Sequence, residues 1–259
     1  MRMIAVGDNC IDDYVKQNRR YAGGCSVNFS VYAKQLGNDS AYLGVVGNDE
    51  NGRLICKILS DYGVDVSHVH RKDGKTAVTQ VELDGNERRF AGYDEGVLGK
   101  LTLTEEDYRF IETYDILHTS VFGNAAEDLR RLKGKVLICC DFADKEEYPD
   151  RDLLLDIADF AFFSYDKDDD YIRKCLEDAF NRGTVCAVAT LGELGSIGYD
   201  GSGFYLQKSI NVNVIDTIGA GDSFIAGFMS AAGTGESMPQ CLKAGAEKAA
   251  ETIAHFGAF

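Results

Sequence analysis

Residues 212–226 read VNVIDTIGAGDSFIA, and this stretch decides how the rest of the chain is interpreted. A short apolar run of β-forming residues stops at Asp216, small residues follow, and an apolar pattern of helical period starts at Asp222. The pattern predicts a strand, a tight turn and a helix. Gly219 and Gly221 would let a ligand approach the backbone closely, and the free N–H groups of a helix N-terminus attract anions.

A carboxylate beside an anion site is unexpected, because it repels phosphate. Asp222 fits this place if it takes a proton from a hydroxyl group that then attacks phosphorus. The alternative is that Asp222 caps the helix, since Asp is common at helix N-termini. The local sequence leaves both roles open.

A second stretch rich in glycine lies near the other end of the chain, where residues 22–28 read AGGCSVN. Together with DTIGAGD at 216–222, it resembles the two signature motifs of the ribokinase/PfkB family of carbohydrate kinases. The resemblance covers the whole chain and implies a ribokinase-like α/β fold: three α/β/α layers, a mostly parallel central sheet and a small β-sheet lid. Residues 1–259 would form one domain, with lid segments at about 11–22 and 76–97.

The hydrophobic pattern alone supports the same fold class. From Leu103 onward, helical patterns alternate with continuous apolar strands, which is typical of a parallel sheet covered by helices on both faces. Residues 76–93 are rich in β-forming residues on both sides of 84–86, which read DGN and predict a hairpin. Residues 196–199 and 203–206 predict a second, antiparallel hairpin at the edge of the sheet.

The resemblance implies ATP-dependent phosphorylation of a primary sugar hydroxyl group. Asp222 would remove the hydroxyl proton, and the N–H groups of Gly219, Ala220 and Gly221 would stabilise the charge on the transferred phosphoryl group. Mg²⁺ would bridge the phosphoryl oxygens. A monovalent cation such as K⁺ is a further candidate cofactor, bound by backbone carbonyls near Asp216.

Asp12, Gly24 and Asn28 are the predicted sugar-binding residues. Asp12 follows the first predicted strand, and ligands of α/β sheets gather beyond the carboxyl ends of strands. Stretches such as GDNCIDDY at 7–14 and YDEGV at 93–97 are similar to family members that act on fructoselysine, a fructose carrying lysine on C1. Its 6-hydroxyl is therefore the expected acceptor.

Charged residues near the predicted lid are candidates for binding the lysine part of this substrate. Glu82, Asp94 and Glu95 would meet an ammonium group, and Arg88 or Arg89 a carboxylate. Asp8 and Asn9 are weaker site candidates, because turn formation explains them equally well.

The loop TLGELG at 190–195 is similar to the nucleotide-side loop of the family. With the glycine turn, it gives six predicted ATP contacts: Thr190, Gly192, Gly195, Thr217, Gly219 and Gly221.

The family usually carries an N-x-x-E element that organises Mg²⁺ and phosphate, and this chain departs from it. Ser164 stands where Asn is expected, so Asp166 or Asp168 is the candidate metal-binding residue. His68 and His70 have no third ligand near them in the sequence and are predicted to lie at a solvated strand edge.

Composition limits the possible partners and compartment. The net charge of −15 argues against nucleic-acid and membrane partners, whereas ATP binding depends on Mg²⁺ and local dipoles. Eight cysteines without a CxxC pair, and the absence of a signal-peptide pattern, indicate a reducing cytoplasm. The small-molecule partners would be ATP and a sugar or fructosamine, and a homodimer through the lid is plausible on this pattern.

Two alternatives to a fructoselysine kinase are left open by the sequence. The first is a kinase of the same family for another ketose, fructosamine or nucleoside, because a few side chains decide substrate choice. The second is a non-catalytic sugar-binding regulator with the same fold, which the altered N-x-x-E element favours and the intact glycine turn with Asp222 opposes.

Overall fold

A computed structural model of the protein describes residues 1–17, 19–84, 87–144 and 147–259, without the side chains of 83–84 and 87–90. The strands within these ranges are β1 (Arg2–Val6), β2 (Cys10–Tyr14), β3 (Arg19–Gly23), β4 (Asp39–Leu43), β5 (Val45–Gly47), β6 (His70–Lys72), β7 (Val78–Asp84), β8 (Glu87–Asp94), β9 (Ile116–Ser120), β10 (Leu137–Asp141), β11 (Phe160–Ser164), β12 (Cys186–Thr190), β13 (Ser196–Tyr199) and β14 (Phe204–Gln207). The α-helices are α1 (Cys25–Gln35), α2 (Glu50–Asp61), α3 (Glu105–Ile111), α4 (Ala126–Leu129), α5 (Arg151–Ile157), α6 (Asp170–Asn181), α7 (Ala220–Ala232) and α8 (Met238–Thr252). Among the described residues, no helix has the length and apolar character needed to span a membrane.

The central sheet has eight strands in the order β14-β13-β12-β11-β10-β9-β1-β4. Neighbouring strands from β4 to β12 run parallel, whereas β13 and β14 are added antiparallel at one edge. The predicted mostly parallel sheet and its edge hairpin are confirmed. The parallel strands are almost entirely buried, as expected when helices cover both faces.

Two hydrophobic clusters cover the opposite faces of this sheet. In β1, Ile4 belongs to a cluster that includes residues of α3–α6, and Met3 belongs to a cluster that includes residues of α1, α2, α7 and α8. Successive residues of a strand point to opposite faces, so each strand contributes to both clusters. The predicted three α/β/α layers are confirmed.

A separate four-stranded sheet with the order β3-β2-β7-β8 forms the lid. β2 pairs antiparallel with β3 and parallel with β7, and β7 pairs antiparallel with β8. The predicted small lid sheet is confirmed, and its strands coincide closely with the segments 11–22 and 76–97. The predicted hairpin turn falls on 85–86, which lie outside the described residues. That the chain forms a single domain stays a prediction.

The strand predicted just before the glycine turn is wrong. Residues 212–216 are irregular, and the Ile215 N–H donates to the carbonyl oxygen of Ile253 at 2.8 Å, just beyond α8. Val214 and Ile215 have side chains that are about half exposed. These β-branched residues mimic a strand in the sequence, but their backbone pairs with a helix end rather than with a sheet. The turn and the helix that follow it are present, since α7 begins directly after Gly219.

Candidate active site

A cavity of about 700 Å³ opens where the carboxyl ends of the parallel strands meet the lid. Asp8 follows β1 and Phe122 follows β9, while Thr79 and Gly92 belong to the lid strands β7 and β8. The cavity is closed on another side by 218–222, the turn that leads into α7. The fold thus brings the two glycine-rich stretches, far apart in the sequence, to one cavity.

Asp222 lies at the buried end of this cavity, in the first turn of α7. Its carboxylate is 7% exposed, and the Asn28 side-chain amide donates to its Oδ2 at 2.8 Å. Burial, with a further contribution from the negative charge of Asp141, raises the pKa of Asp222 to about 8. Asp222 does not cap α7, because the cap position is occupied by Gly219 and no side chain bonds there. Once ionised, a carboxylate with this pKa is a stronger base than an ordinary aspartate.

The glycine turn presents backbone N–H groups at the N-terminus of α7. Gly219 has φ of 72°, and a Cβ atom at this position would collide with the Tyr32 hydroxyl group, so only glycine fits. The Ala220 N–H donates to the Thr217 carbonyl oxygen at 3.3 Å. Within the described part of the chain, no protein group accepts from the N–H groups of Gly219 and Gly221. Both are therefore available to an anion, at the positive end of the helix dipole.

The predicted sugar-binding residues Asp12, Gly24 and Asn28 line the same cavity. Gly24 has φ of 107°, and a Cβ atom there would lie 2.8 Å from the Asn9 Cα. The side-chain oxygens of Asn9 and Asn28 are buried and accept no hydrogen bond from the described residues. A buried acceptor without a donor costs about 1–3 kcal/mol. The two oxygens therefore favour a ligand rich in hydroxyl groups.

Asp8 holds the first helix in place, and both oxygens of its carboxylate already accept hydrogen bonds from the protein. Its carboxylate accepts from the backbone N–H groups of Cys25 and Ser26 and from the hydroxyl groups of Ser26 and Ser120. These bonds tie the N-terminus of α1 to the ends of β1 and β9. They hold Gly24 and Asn28 at the cavity, so Asp8 is more than the turn residue its local sequence indicates.

Asp141 adds a second buried carboxylate beside Asp222. It ends β10, and its Oδ1 accepts from the Ala143 N–H at 2.8 Å. One side-chain ligand atom from each of Cys25, Asp141 and Asp222 lies within 4.8 Å of the others. Burial, and to a smaller extent the charge of Asp8, raises the pKa of Asp141 to about 6. This concentration of negative charge would be relieved by a bound cation.

The family model described as pfkB family carbohydrate kinase matches residues 2–259. The chain belongs to the pfkB family of carbohydrate kinases. This assignment agrees with the placement of both glycine-rich stretches at one cavity.

Two named kinases resemble the chain over nearly its full length. A fructoselysine 6-kinase from Escherichia coli (strain K12) is 42% identical over 259 residues, which cover 99% of each protein. A fructosamine kinase, FrlD, from Bacillus subtilis (strain 168) is 35% identical over 264 residues, covering 100% of this chain and 93% of the relative.

Solved structures of the same fold include two ribokinases. The ribokinase of Arabidopsis thaliana, complexed with ribose and ATP, superposes with a TM-score of 0.86 at 22% identity, covering 99% of this chain and 93% of that chain. The ribokinase of Thermotoga maritima gives a TM-score of 0.82 at 18% identity, covering 100% and 94%. The predicted ribokinase-like fold is confirmed.

The ATP contacts predicted from the pfkB resemblance lie around the last parallel strand and the glycine turn. Thr190 ends β12, and the exposed Gly192 has φ of 56° in the loop that follows. Gly195 has a packing reason for its identity, because a Cβ atom there would collide with the Gln207 carbonyl of β14. Thr217 is exposed beside the turn. Their roles in ATP binding stay predictions.

Two of the acids predicted to meet the substrate's ammonium group have other partners. Glu82 pairs with Lys16 at 3.2 Å, and Asp94 accepts from the Gly96 N–H at 3.0 Å in a turn. Neither lines the cavity, whereas Glu95 does. The side chains of 88–89, the predicted carboxylate partners, lie outside the described residues.

Asp166, the predicted metal-binding residue, does not line the cavity of Asp222. It is mostly exposed, lies 3.9 Å from the Lys167 ammonium, and lines a second cavity of about 360 Å³ together with Ser164. Asp168, the other candidate, is bonded to Arg173 at 2.8 Å. A metal role for either residue stays a prediction.

The surroundings of the two histidines differ from the solvated strand edge that the sequence predicts. His68 Nδ1 and His70 Nε2 each lie 2.9 Å from one oxygen of Asp107, and both histidine side chains are only 18% exposed. The expectation is wrong because Asp107 is brought to them by α3, far along the chain.

Asp141, Phe122 and Tyr148 are absent from the predicted site residues, although they lie at or near the cavity. Asp141 had a usable signal, because it ends the predicted strand 136–141, where parallel sheets collect ligands. The two aromatic residues follow no motif and reach the cavity only through the fold.

Proposed function

We propose that the protein transfers the γ-phosphoryl group of ATP to the 6-hydroxyl group of fructoselysine. The observation that carries this proposal is the buried Asp222 carboxylate, held by Asn28 beside the free N–H groups of the glycine turn. The 42% identity to a fructoselysine 6-kinase supports the substrate, and the 35% identity to a fructosamine kinase supports its class. The likeness to a ribokinase complexed with ribose and ATP supports ATP as the phosphoryl donor.

In the proposed reaction, Asp222 accepts the proton of the 6-hydroxyl group. The hydroxyl oxygen bonds to the γ-phosphorus as the bond to the ADP oxygen breaks, and ADP leaves with that electron pair. A carboxylate with a pKa of about 8 takes up this proton more readily than an ordinary aspartate. The N–H groups of Gly219 and Gly221 stabilise the negative charge that the phosphoryl oxygens carry.

The orphaned oxygens of Asn9 and Asn28 fit the sugar in this scheme. Each would accept a hydroxyl proton, and Asp12 would accept another from the lid side. Three acceptors around one sugar fix its orientation, which places a single hydroxyl group at Asp222.

Asp141 fits a Mg²⁺ ion that accompanies ATP. Its carboxylate lies in the group of ligand atoms formed with Cys25 and Asp222, and Mg²⁺ prefers carboxylate oxygens to sulfur. When bound, the ion would neutralise charge on the phosphate oxygens. The predicted monovalent-cation site near Asp216 stays a prediction; the Asp216 carboxylate itself accepts from the N–H groups of Ile218 and Gly257.

We also retain the proposals of a cytoplasmic location and a lid-mediated dimer. All eight cysteines are free, which supports a reducing compartment. In the lid sheet, β3 and β8 are edge strands with unpaired backbone groups, which supports pairing with a second copy. Light scattering on the purified protein gives the mass that tests the dimer.

The test of function is ADP release with Mg-ATP across fructoselysine, other fructosamines, fructose, ribose and adenosine. We expect a large preference for fructoselysine, with phosphate on its 6-oxygen by NMR. Preference for another compound would replace the substrate but keep the kinase. No activity on any compound would favour the sugar-binding regulator.

The Asp222→Asn variant tests the role of the base. It should fold and bind ATP, while turnover of the preferred substrate falls by about two to four orders of magnitude. Steady-state kinetics and thermal unfolding of both proteins provide the comparison. Turnover close to that of the wild type would exclude Asp222 as the base.

A further inference from the structure

The exposed part of the cavity differs chemically from its buried part. Tyr93 at the end of the lid strand β8, Phe122 after β9 and Tyr148 bring three aromatic rings to it. The rings of Phe122 and Tyr148 have centroids 5.9 Å apart with planes at 83°. Glu95 is the acid of this exposed part. A sugar held by the buried amides leaves this region free for a substituent.

Glu95 is held in place through its backbone and its side chain. Its carbonyl oxygen accepts from the Leu98 N–H at 3.1 Å, and its Oε1 accepts from the Asn124 side-chain amide at 3.1 Å. The loop that carries Asn124 is packed tightly, because a Cβ atom on Gly7 would lie 2.6 Å from the Gly123 Cα. Among the described residues, no group donates to Oε2 of Glu95, which leaves this oxygen for a ligand.

The charge of the exposed part of the cavity points to a cationic group of the ligand, whereas the glycine turn suits an anion. Its described lining includes the carboxylates of Asp8, Asp12, Glu95 and Asp222, and none of the described lining residues is Lys, Arg or His. A neutral hydroxyl group of a sugar does not need a full negative charge as its partner in this exposed part of the cavity. An ammonium group does, because it gains a charge-assisted hydrogen bond there.

We propose that Glu95, oriented by Asn124, binds the ammonium nitrogen of the amino-acid arm of the substrate, while Tyr93, Phe122 and Tyr148 contact its hydrocarbon chain. This inference rests on the proposed function and names the groups that select a fructosamine over a plain sugar. The faces of the aromatic rings also attract a cation, so the ammonium group and the hydrocarbon chain of the arm both find complementary groups.

Glu95→Gln tests the proposal, with Glu147→Gln as the matched control. Glu147 is exposed next to Tyr148 but does not line the cavity, so its variant removes the same charge without removing the proposed contact. KM for fructoselysine, KM for ATP and kcat are measured for the wild type and both variants.

In Glu95→Gln, KM for fructoselysine should rise at least about tenfold, while KM for ATP and kcat stay within about threefold of the wild type. The kcat value is expected to persist because the reacting end of the sugar is held by other residues. Glu95→Asp, which keeps the charge on a shorter side chain, should recover part of the loss.

Equal KM values for fructoselysine in Glu95→Gln and Glu147→Gln would overturn the inference, as would a fall in kcat at unchanged KM. Failure of the proposed function looks different, because wild-type protein would then release no ADP with fructoselysine. A wild type active on fructoselysine with an unaffected Glu95→Gln variant would leave the function intact and remove only the role of Glu95.

Discussion

Asp222 is the residue at which the stability of the fold and the proposed catalytic role oppose each other. Its pKa is 3.8 in an ordinary environment and about 8 here, because burial and then the charge of Asp141 disfavour ionisation. Between these two values the folded protein holds a proton that the unfolded chain has released. The free energy of unfolding therefore falls as pH rises from about 4 to about 8, as far as this group decides it.

Asp222→Asn should remove this pH-dependent cost. We expect the variant without ligands to be more stable than the wild type at pH 8.5, with an advantage that shrinks toward pH 5. Between pH 5 and pH 8.5, the difference in free energy of unfolding between the variant and the wild type should change by a few kcal/mol, since one pKa unit corresponds to about 1.4 kcal/mol. Urea unfolding at both pH values measures it. Asp166→Asn is the control, because Asp166 is mostly exposed. If the stability difference between Asp222→Asn and the wild type does not change with pH, the raised pKa of Asp222 is contradicted.

The acids of the lid show what a sequence can and cannot decide at this scale. Glu82, Asp94 and Glu95 are equally good partners for an ammonium group in the sequence. Only the fold separates them, because Glu95 lines the cavity, whereas Glu82 pairs with Lys16 and Asp94 accepts from the Gly96 N–H in a turn. The role of Asp222, in contrast, can be proposed from its place after the glycine turn.

At the level of elements, the carboxylate of Asp107 holds α3 in place through four hydrogen-bond contacts. Asp107 accepts from the Thr104 N–H and hydroxyl group at 2.8 and 2.7 Å, and it bonds His68 and His70. Although burial raises the pKa of Asp107, the hydrogen bonds of His68 and Thr104 lower it below its ordinary value. The contacts join the N-terminus of α3 to β6 and to the segment before it.

Asp107→Asn should destabilise the protein by about 1–3 kcal/mol, because the amide cannot accept from both histidines and Thr104 together. Glu106→Gln removes a charge from the same helical turn without removing such contacts, since Glu106 is exposed. Thermal unfolding at pH 7 compares the two variants. Equal melting temperatures would show that the shared carboxylate contributes nothing beyond its charge near the helix end.

Regular elements are the part of this fold that the sequence predicts well. The helical pattern over 104–112 and the apolar run 116–119 predict α3 and β9 to within about a residue, and the patterns over 151–157 and 160–164 coincide with α5 and β11. The agreement is close because continuous apolar strands and helical periodicity are local signals. Contacts such as those of His68 and His70 with Asp107 join residues 39 and 37 positions apart, and no local signal reports them. The strand predicted over 212–216 is wrong for a related reason, since the backbone of this segment pairs with a residue near the end of α8.

At the level of the whole molecule, the cysteines fall into two groups that differ in how deeply they are buried. Three are partly exposed, and Cys10 and Cys25 among them line the cavity, whereas Cys175 lines the second cavity. Burial raises the pKa of both cavity thiols well above the ordinary value, which makes them slow nucleophiles. The remaining cysteines are buried: Cys56, Cys139, Cys140, Cys186 and Cys241.

Alkylation with iodoacetamide, followed by mass spectrometry, should therefore map ligand binding. We expect Cys175 to react first in the native protein and the five buried cysteines to react only after unfolding. Saturating acceptor substrate should slow Cys10 and Cys25 by at least about tenfold and leave Cys175 unchanged. Equal protection of Cys175 would indicate a global effect of the ligand instead of occupancy of the cavity.

The hydrogen bond between Asn28 and Asp222 joins residues 194 positions apart. The proposed sugar-binding residues belong to the first strands and α1, whereas the proposed base and its glycine turn follow residue 216. A ribosome that stalls before α7, or a protease that removes it, therefore leaves a polypeptide without the group proposed to activate the acceptor. An incomplete copy of this kind would lack the proposed base and could not transfer a phosphoryl group to a bound sugar.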